Sequence, residues 1–233
     1  MDIAENVRTV MERAARAAVA SGRRPEDITL VAASKMNGAA ALREAYDAGV
    51  RFFGENRVQE MREKLDENAY EGAGLHFIGR LQKNKLKYVV GTCGLIHSVD
   101  SVELMELISK RAVAMGLVQD VLLEVNIGRE DSKGGFAPET LPEALKAAEN
   151  LNGLKVRGLM CIPPAGAGEA ESRGYFKAMR QLFVDILAKK YDNVSMDFLS
   201  MGMSGDYEAA IAEGSNMIRV GSAIFGTRQY LQA

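Results

Sequence analysis

Eight short apolar runs, separated by stretches whose apolar residues recur three and four apart, constrain the fold of this chain more than any other feature. The runs are Ile28–Lys35, Val50–Gly54, Leu75–Gly79, Leu95–Val99, Asp120–Ile127, Leu154–Cys161, Ser195–Met201 and Asn216–Val220. Helices are predicted between them, over 39–48, 55–65, 82–90, 101–115, 138–150, 170–190 and 206–213, and one more over 2–21 precedes the first run. Strands that alternate with helices pair in parallel through helical crossovers. Eight such units in 233 residues fit a closed TIM-type (β/α)8 barrel with an extra N-terminal helix, forming one domain over 1–233. An open doubly wound sheet fits less well, because no Gly-x-Gly-x-x-Gly follows the first run.

With 29 basic against 31 acidic residues there is no global field towards nucleic acid or an anionic membrane. A small-molecule ligand is expected instead. Cys93 and Cys161 stand far apart and outside any Cys-x-x-Cys or Cys/His ligand pattern, so both read as reduced, ordinary residues. The N-terminus opens with acids rather than a basic, apolar leader, and no apolar run approaches the ~20 residues of a membrane span. A cytoplasmic protein is expected.

Barrels of this kind gather functional groups at the carboxyl ends of their strands. The first run ends in Lys35, the second leads to Asn56, the seventh to Met201-Gly-Met-Ser-Gly205, and the eighth carries Arg219 before Gly221-Ser222. Ser204 alone reads as a helix N-cap and the glycines as turn residues. Together, small residues at helix starts after strands seven and eight expose backbone N–H groups where such barrels bind phosphate. A phosphate at one end and a lysine at the other suggest an aldehyde phosphate condensing with Lys35 as a Schiff base, which points to pyridoxal 5'-phosphate. A phosphosugar held by an aldolase-type lysine is the other ligand of that description.

Several long motifs also carry a resemblance. Leu30-Val-Ala-Ala-Ser-Lys35, Phe53-Gly-Glu-Asn-Arg-Val-Gln-Glu60, His76-Phe-Ile-Gly79 with Leu81-Gln-x-Asn-Lys85, Leu199-Ser-Met-Gly-Met-Ser-Gly-Asp206 and the segment Val220 to Gly226 resemble the pyridoxal phosphate homeostasis protein family. The resemblance implies a barrel similar to the N-terminal domain of alanine racemase, with Lys35 binding the cofactor, Asn56 beside its ring and Arg219 facing the pyridine nitrogen. It implies phosphate contacts at Ser204, Gly221 and Ser222. The chain departs from relatives at Leu75, where tryptophan is frequent, at Ser222, where many have threonine, and at Asn37, where some have a second lysine.

An always-charged guanidinium facing the ring nitrogen disfavours its protonation and weakens the cofactor as an electron sink. Racemisation also needs an acid/base on each face of the substrate carbon, and Lys35 supplies one. In alanine racemases, the resemblance implies, the second is a tyrosine from a further β-domain, for which a chain ending at Ala233 leaves no room. Tyr207 and Tyr230 are the remaining nominees and read as amphipathic surface residues. A monomeric carrier of pyridoxal phosphate, supplying apo-enzymes and without strong catalysis, is therefore expected, with a weak amino-acid racemase as the alternative. Lys133, in a polar loop after strand five, reads as a solvated lysine rather than a relay for the aldehyde, and His76 and His97 read as satisfied core histidines.

Overall fold

In the computed structural model, which describes residues 2–130 and 133–226, eight parallel strands pair in chain order and the last closes on the first. They are β1 (Thr29–Ala33), β2 (Phe52–Glu55), β3 (Gly74–Phe77), β4 (Leu95–Val99), β5 (Gln119–Glu124), β6 (Leu154–Met160), β7 (Val194–Ser200) and β8 (Met217–Val220). Helices α2 (Ala39–Asp47), α3 (Val58–Asp66), α4 (Leu86–Val89), α5 (Val102–Ala114), α6 (Leu141–Ala148), α7 (Glu169–Lys189) and α8 (Tyr207–Ala212) connect successive strands, and α9 (Ser222–Phe225) follows the last. This is the TIM-type (β/α)8 barrel, with α1 (Ile3–Ala20) as the extra N-terminal helix. Among the described residues no helix is long and apolar enough to cross a membrane.

Alternate residues of each strand face opposite sides of the sheet, and this period of two sorts the core into two layers. Val31, Leu95, Leu122, Met160 and Met217 form an apolar cluster inside the barrel. Their neighbours in the chain, among them Ala32, Ile96, Val121, Leu159 and Ile218, belong to the larger cluster under the helices. Burying each large apolar side chain in either layer contributes about 1.5–3 kcal/mol. The same parity decides what reaches the barrel mouth: two residues beyond the inner cluster stand Arg219 after Met217 and Glu124 after Leu122, while Ala33 and then Lys35 follow Val31.

Helix α1 begins at Asp2, whose carboxylate accepts the Glu5 N–H at 2.9 Å, and buries Val7, Val10, Ala14 and Ala18 on one stripe. It packs on α2, α8 and α9, and Asn6 Nδ2 donates to the Ile224 carbonyl at 2.9 Å. The extra helix thus steadies the segment that follows β8.

Element ends differ from expectation where loop packing takes over. Strand β1 stops at Ala33 rather than Lys35, because Met36 adopts a φ of 63° and the Asn37 N–H donates to the Ser34 carbonyl at 3.1 Å, forming a turn. Strand β5 stops at Glu124; Val125 is buried by a single bridge to Phe136 of the next loop, which extends the apolar run without extending the barrel. The helix predicted over 55–65 starts at Val58, with Glu55 completing β2, and that over 82–90 is a 3-10 turn, Lys83–Lys85, before the four-residue α4.

Candidate functional site

At the carboxyl ends of the strands the barrel opens into a cavity of about 390 Å³. Lys35 borders it from the turn after β1, Asn56 from the loop after β2, Ile78 and Gly79 from beyond β3, Glu124 from the end of β5, Ile162 from beyond β6 and Arg219 from β8. Lys35, Asn56 and Arg219 are thereby brought together. Gly79 is required by a close approach, since a Cβ there would stand 2.3 Å from the Asn56 carbonyl oxygen. The strand-three motif therefore determines where the strand-two asparagine lies.

The other predicted residues cluster next to this cavity rather than in its wall. Gly202, with a φ of 95°, turns the chain out of β7; a Cβ there would lie 2.6 Å from that of Ala210. Its carbonyl accepts the Arg219 N–H at 3.0 Å, and the turn sets Ser204 against the start of α9. Ser204 Oγ accepts from the Gly221 N–H at 3.1 Å and the Ala223 N–H at 3.2 Å, so two backbone amides flanking Ser222 converge on one oxygen. Ser204 borders a neighbouring cavity of about 510 Å³ together with Arg13, Glu169 and Asp206, and Met203 separates the two spaces.

Arg219 is buried at the floor of the Lys35 cavity, donating from Nη1 to Ser200 Oγ at 2.6 Å and from Nη2 to the Cys161 carbonyl at 2.9 Å. Ser200 Oγ lies 3.1 Å from His97 Nδ1, and His97 Nε2 lies 3.1 Å from His76 Nδ1. Both histidines are thus buried and hydrogen-bonded. Burial pushes His76 down to about 4, and burial, then His76 and Arg219, hold His97 well below its ordinary value. Burial lowers Arg219 as well, yet a guanidinium remains charged throughout the neutral range. Glu124 shifts the other way: burial and then Asp100 raise it, against the pull of Arg219, Arg80 and Lys133.

A second buried polar group lies behind the Lys35 turn, where Glu55 of β2 meets Lys64 of α3 at 2.6 Å. Neither this pair nor Ser200, Glu124 or Ile78 was expected at the site. Ser200 and Glu124 share inward parity with Phe198 and Leu122 of their own strands, a signal present in the sequence; Glu55 and Lys64 lie in different elements and carry none.

Tyr207 is buried with a hydroxyl that has no partner among the described residues, and it borders the Ser204 cavity, not that of Lys35. Tyr230 lies outside the described residues. Lys133 borders the Lys35 cavity, donating to the Pro163 carbonyl at 3.1 Å and pairing with Glu130 at 2.5 Å. Among the described residues no group of His, Cys, Asp and Glu is arranged to hold a metal.

Residues 2–229 match the family model for the alanine racemase N-terminal domain. The pyridoxal phosphate homeostasis protein of Aquifex aeolicus (strain VF5) is 44% identical over 230 residues, covering 99% of this chain and 100% of that relative. Among solved structures, an unknown protein from Bifidobacterium adolescentis is 38% identical with a TM-score of 0.91, over 96% of this chain and 94% of its own. PipY of Synechococcus elongatus PCC7942, solved with PLP bound, is 36% identical with a TM-score of 0.83, over 96% of this chain and 100% of that one. With a closed barrel, a lysine and an arginine at its mouth, and a curated relative matched end to end, the chain belongs to the pyridoxal phosphate homeostasis protein family.

Proposed function

We propose that this chain binds pyridoxal 5'-phosphate at the barrel mouth, holds it reversibly through Lys35, and serves the intracellular handling of the cofactor without strong catalysis. The observation that carries the reading is one cavity bordered by both Lys35 and the buried Arg219, in a family member whose relative PipY was solved with PLP bound.

The residues present fit that ligand. Asn56 Oδ1 is buried and lacks a partner among the described residues, an acceptor that a polar ligand would satisfy. The Gly221 and Ala223 amides, which converge on Ser204 Oγ, are donors of the kind a phosphate oxygen takes, with the hydroxyls of Ser204 and Ser222 beside them. When bound, the cofactor supplies an aldehyde carbon that condenses reversibly with amines. Lys35 Nζ, in its neutral form, adds to that carbon and water leaves, giving a Schiff base; attack by water or another amine returns the lysine. Arg219, assigned to the ring nitrogen, disfavours a second positive charge there and with it carbanion chemistry.

The carrier is monomeric in this reading, and apo-enzymes are its recipients. Racemisation needs a second acid/base opposite Lys35, and the Tyr207 hydroxyl borders the other cavity. The test is the visible spectrum of the loaded protein before and after borohydride, with mass location of the reduced adduct. An adduct on Lys35, absent in Lys35→Ala, is expected. A protein that cannot be loaded would sink the reading, and sustained Lys35-dependent formation of D-alanine from L-alanine would replace the carrier by a racemase.

A further inference from the structure

We propose that Glu60 and Lys64 of α3, together with Glu55 of β2, are positioning residues that clamp the Lys35 turn from both sides and so determine where its amine meets the aldehyde. The inference rests on the reading of Lys35 as the Schiff-base residue and adds what orients it.

The turn is bonded on each side of Lys35. Before it, the Ser34 carbonyl accepts from Lys64 Nζ at 2.8 Å, and Ser34 Oγ donates to Glu55 Oε1 at 2.6 Å. After it, the Met36 N–H donates to Glu60 Oε1. Lys64 joins the two sides, donating to Glu55 Oε1 at 2.6 Å and to Glu60 Oε1 at 2.7 Å. Asn37 adds two local bonds, its Nδ2 donating to the Lys35 carbonyl at 2.9 Å and its N–H to the Ser34 carbonyl at 3.1 Å.

Two features show that this arrangement does more than fill space. Met36 holds a left-handed φ of 63°, which a residue with a Cβ adopts at a cost, and its amide is the one Glu60 takes. The Lys64–Glu55 pair is almost wholly buried, with side chains 5% and 0% exposed. Such a pair loses in desolvation about what it gains in attraction, so replacing both charges with neutral groups is often harmless to stability. Its contribution here is geometric: three donors, Ser34 from the turn after β1, Lys64 from α3 and Tyr70 from the loop after α3, meet on Glu55 Oε1, so the turn cannot shift without breaking the bond from Ser34.

The test separates a misplaced amine from a damaged site by using two ligands. Pyridoxal phosphate engages Lys35 through its aldehyde, whereas pyridoxine 5'-phosphate carries an alcohol there and cannot form a Schiff base. In Glu60→Ala, loss of the acceptor for Met36 is expected to weaken pyridoxal phosphate about tenfold and leave pyridoxine 5'-phosphate unchanged. Glu60→Gln, which keeps an oxygen for the Met36 amide, should recover most of that loss. The double variant Glu55→Gln with Lys64→Met, which leaves no buried charge alone, should show the same split between ligands. Equal losses for both ligands, or no loss for pyridoxal phosphate, overturn the clamp while the wild-type adduct at Lys35 stands. Absence of that adduct in the wild type overturns the reading beneath it.

Discussion

Two buried polar groups flank the cavity, and they are built from opposite chemistry. Under the floor runs a chain of single hydrogen bonds, Arg219 to Ser200 to His97 to His76, with one fixed charge at its head and two neutral rings behind. Behind the Lys35 turn, Glu55, Lys64 and Glu60 form a compact knot of charges of both signs. Arg219 can only donate, so Ser200 Oγ accepts from it; when the Ser200 hydroxyl turns its own proton to His97 Nδ1, the His97 Nε2–H is left to donate to His76 Nδ1. That order requires both rings to stay neutral, whereas the knot requires opposite charges to stay together. Acid therefore threatens the first and loss of a partner the second.

The largest expected effect comes from breaking the knot on one side. Lys64→Met leaves the Glu55 carboxylate buried with no counter-charge on Oε1 and no partner among the described residues on Oε2, and should cost about 3–5 kcal/mol of unfolding free energy, measured by urea titration. Adding Glu55→Gln should return most of that loss, because both charges are then gone. A single variant that costs under about 1 kcal/mol would show that the knot is not held by charge balance.

How much of these two regions was legible in the sequence follows from the same physics. The barrel was, because eight apolar runs alternating with helical spacing leave few other ways to bury them. The floor chain was legible in part: His76 and His97 lie on adjacent strands, and Arg219 and Ser200 share inward parity with Met217 and Phe198. Parity does not reveal, however, that side chains from four strands meet. The knot was hidden, since residues 55 and 64 fall in a strand and a helix, and the sequence-based helix beginning at Glu55 pointed that residue the wrong way. The Asp120–Ile127 run misled for a related reason, as Val125 is buried by a loop rather than by the sheet.

Acid should act on the floor chain in a defined window. An unfolded histidine takes up a proton below about 6.5, while His76 resists to about 4 and His97 to a value well below its ordinary one. Between these limits the unfolded state binds more protons, so stability is full above about pH 6.5 and falls as the pH drops towards 4. At pH 5 His76 should remove about 2 kcal/mol relative to neutral pH, and His97 should add to the loss in the same direction. Urea unfolding at pH 7 and pH 5 measures this, and His76→Gln with His97→Gln should flatten the difference. If the double variant loses stability in acid as steeply as the wild type, other groups carry the dependence.

The smallest effect, and the sharpest test of why the rings stay neutral, is Ser200→Ala. It leaves Arg219 Nη1 and His97 Nδ1 without their shared partner, at a cost of about 1–3 kcal/mol at pH 7. Burial is the leading cause of the depressed histidines, and Ser200→Ala exposes neither ring. The stability gap between pH 7 and pH 5 should therefore match that of the wild type, although both values are lower. A variant in which that gap disappears would assign the neutrality of His97 to the Ser200 hydroxyl rather than to the dry interior. Ser200 would then hold the ring's proton as well as the guanidinium, coupling the charge at Arg219 directly to the protonation of the histidines beneath it.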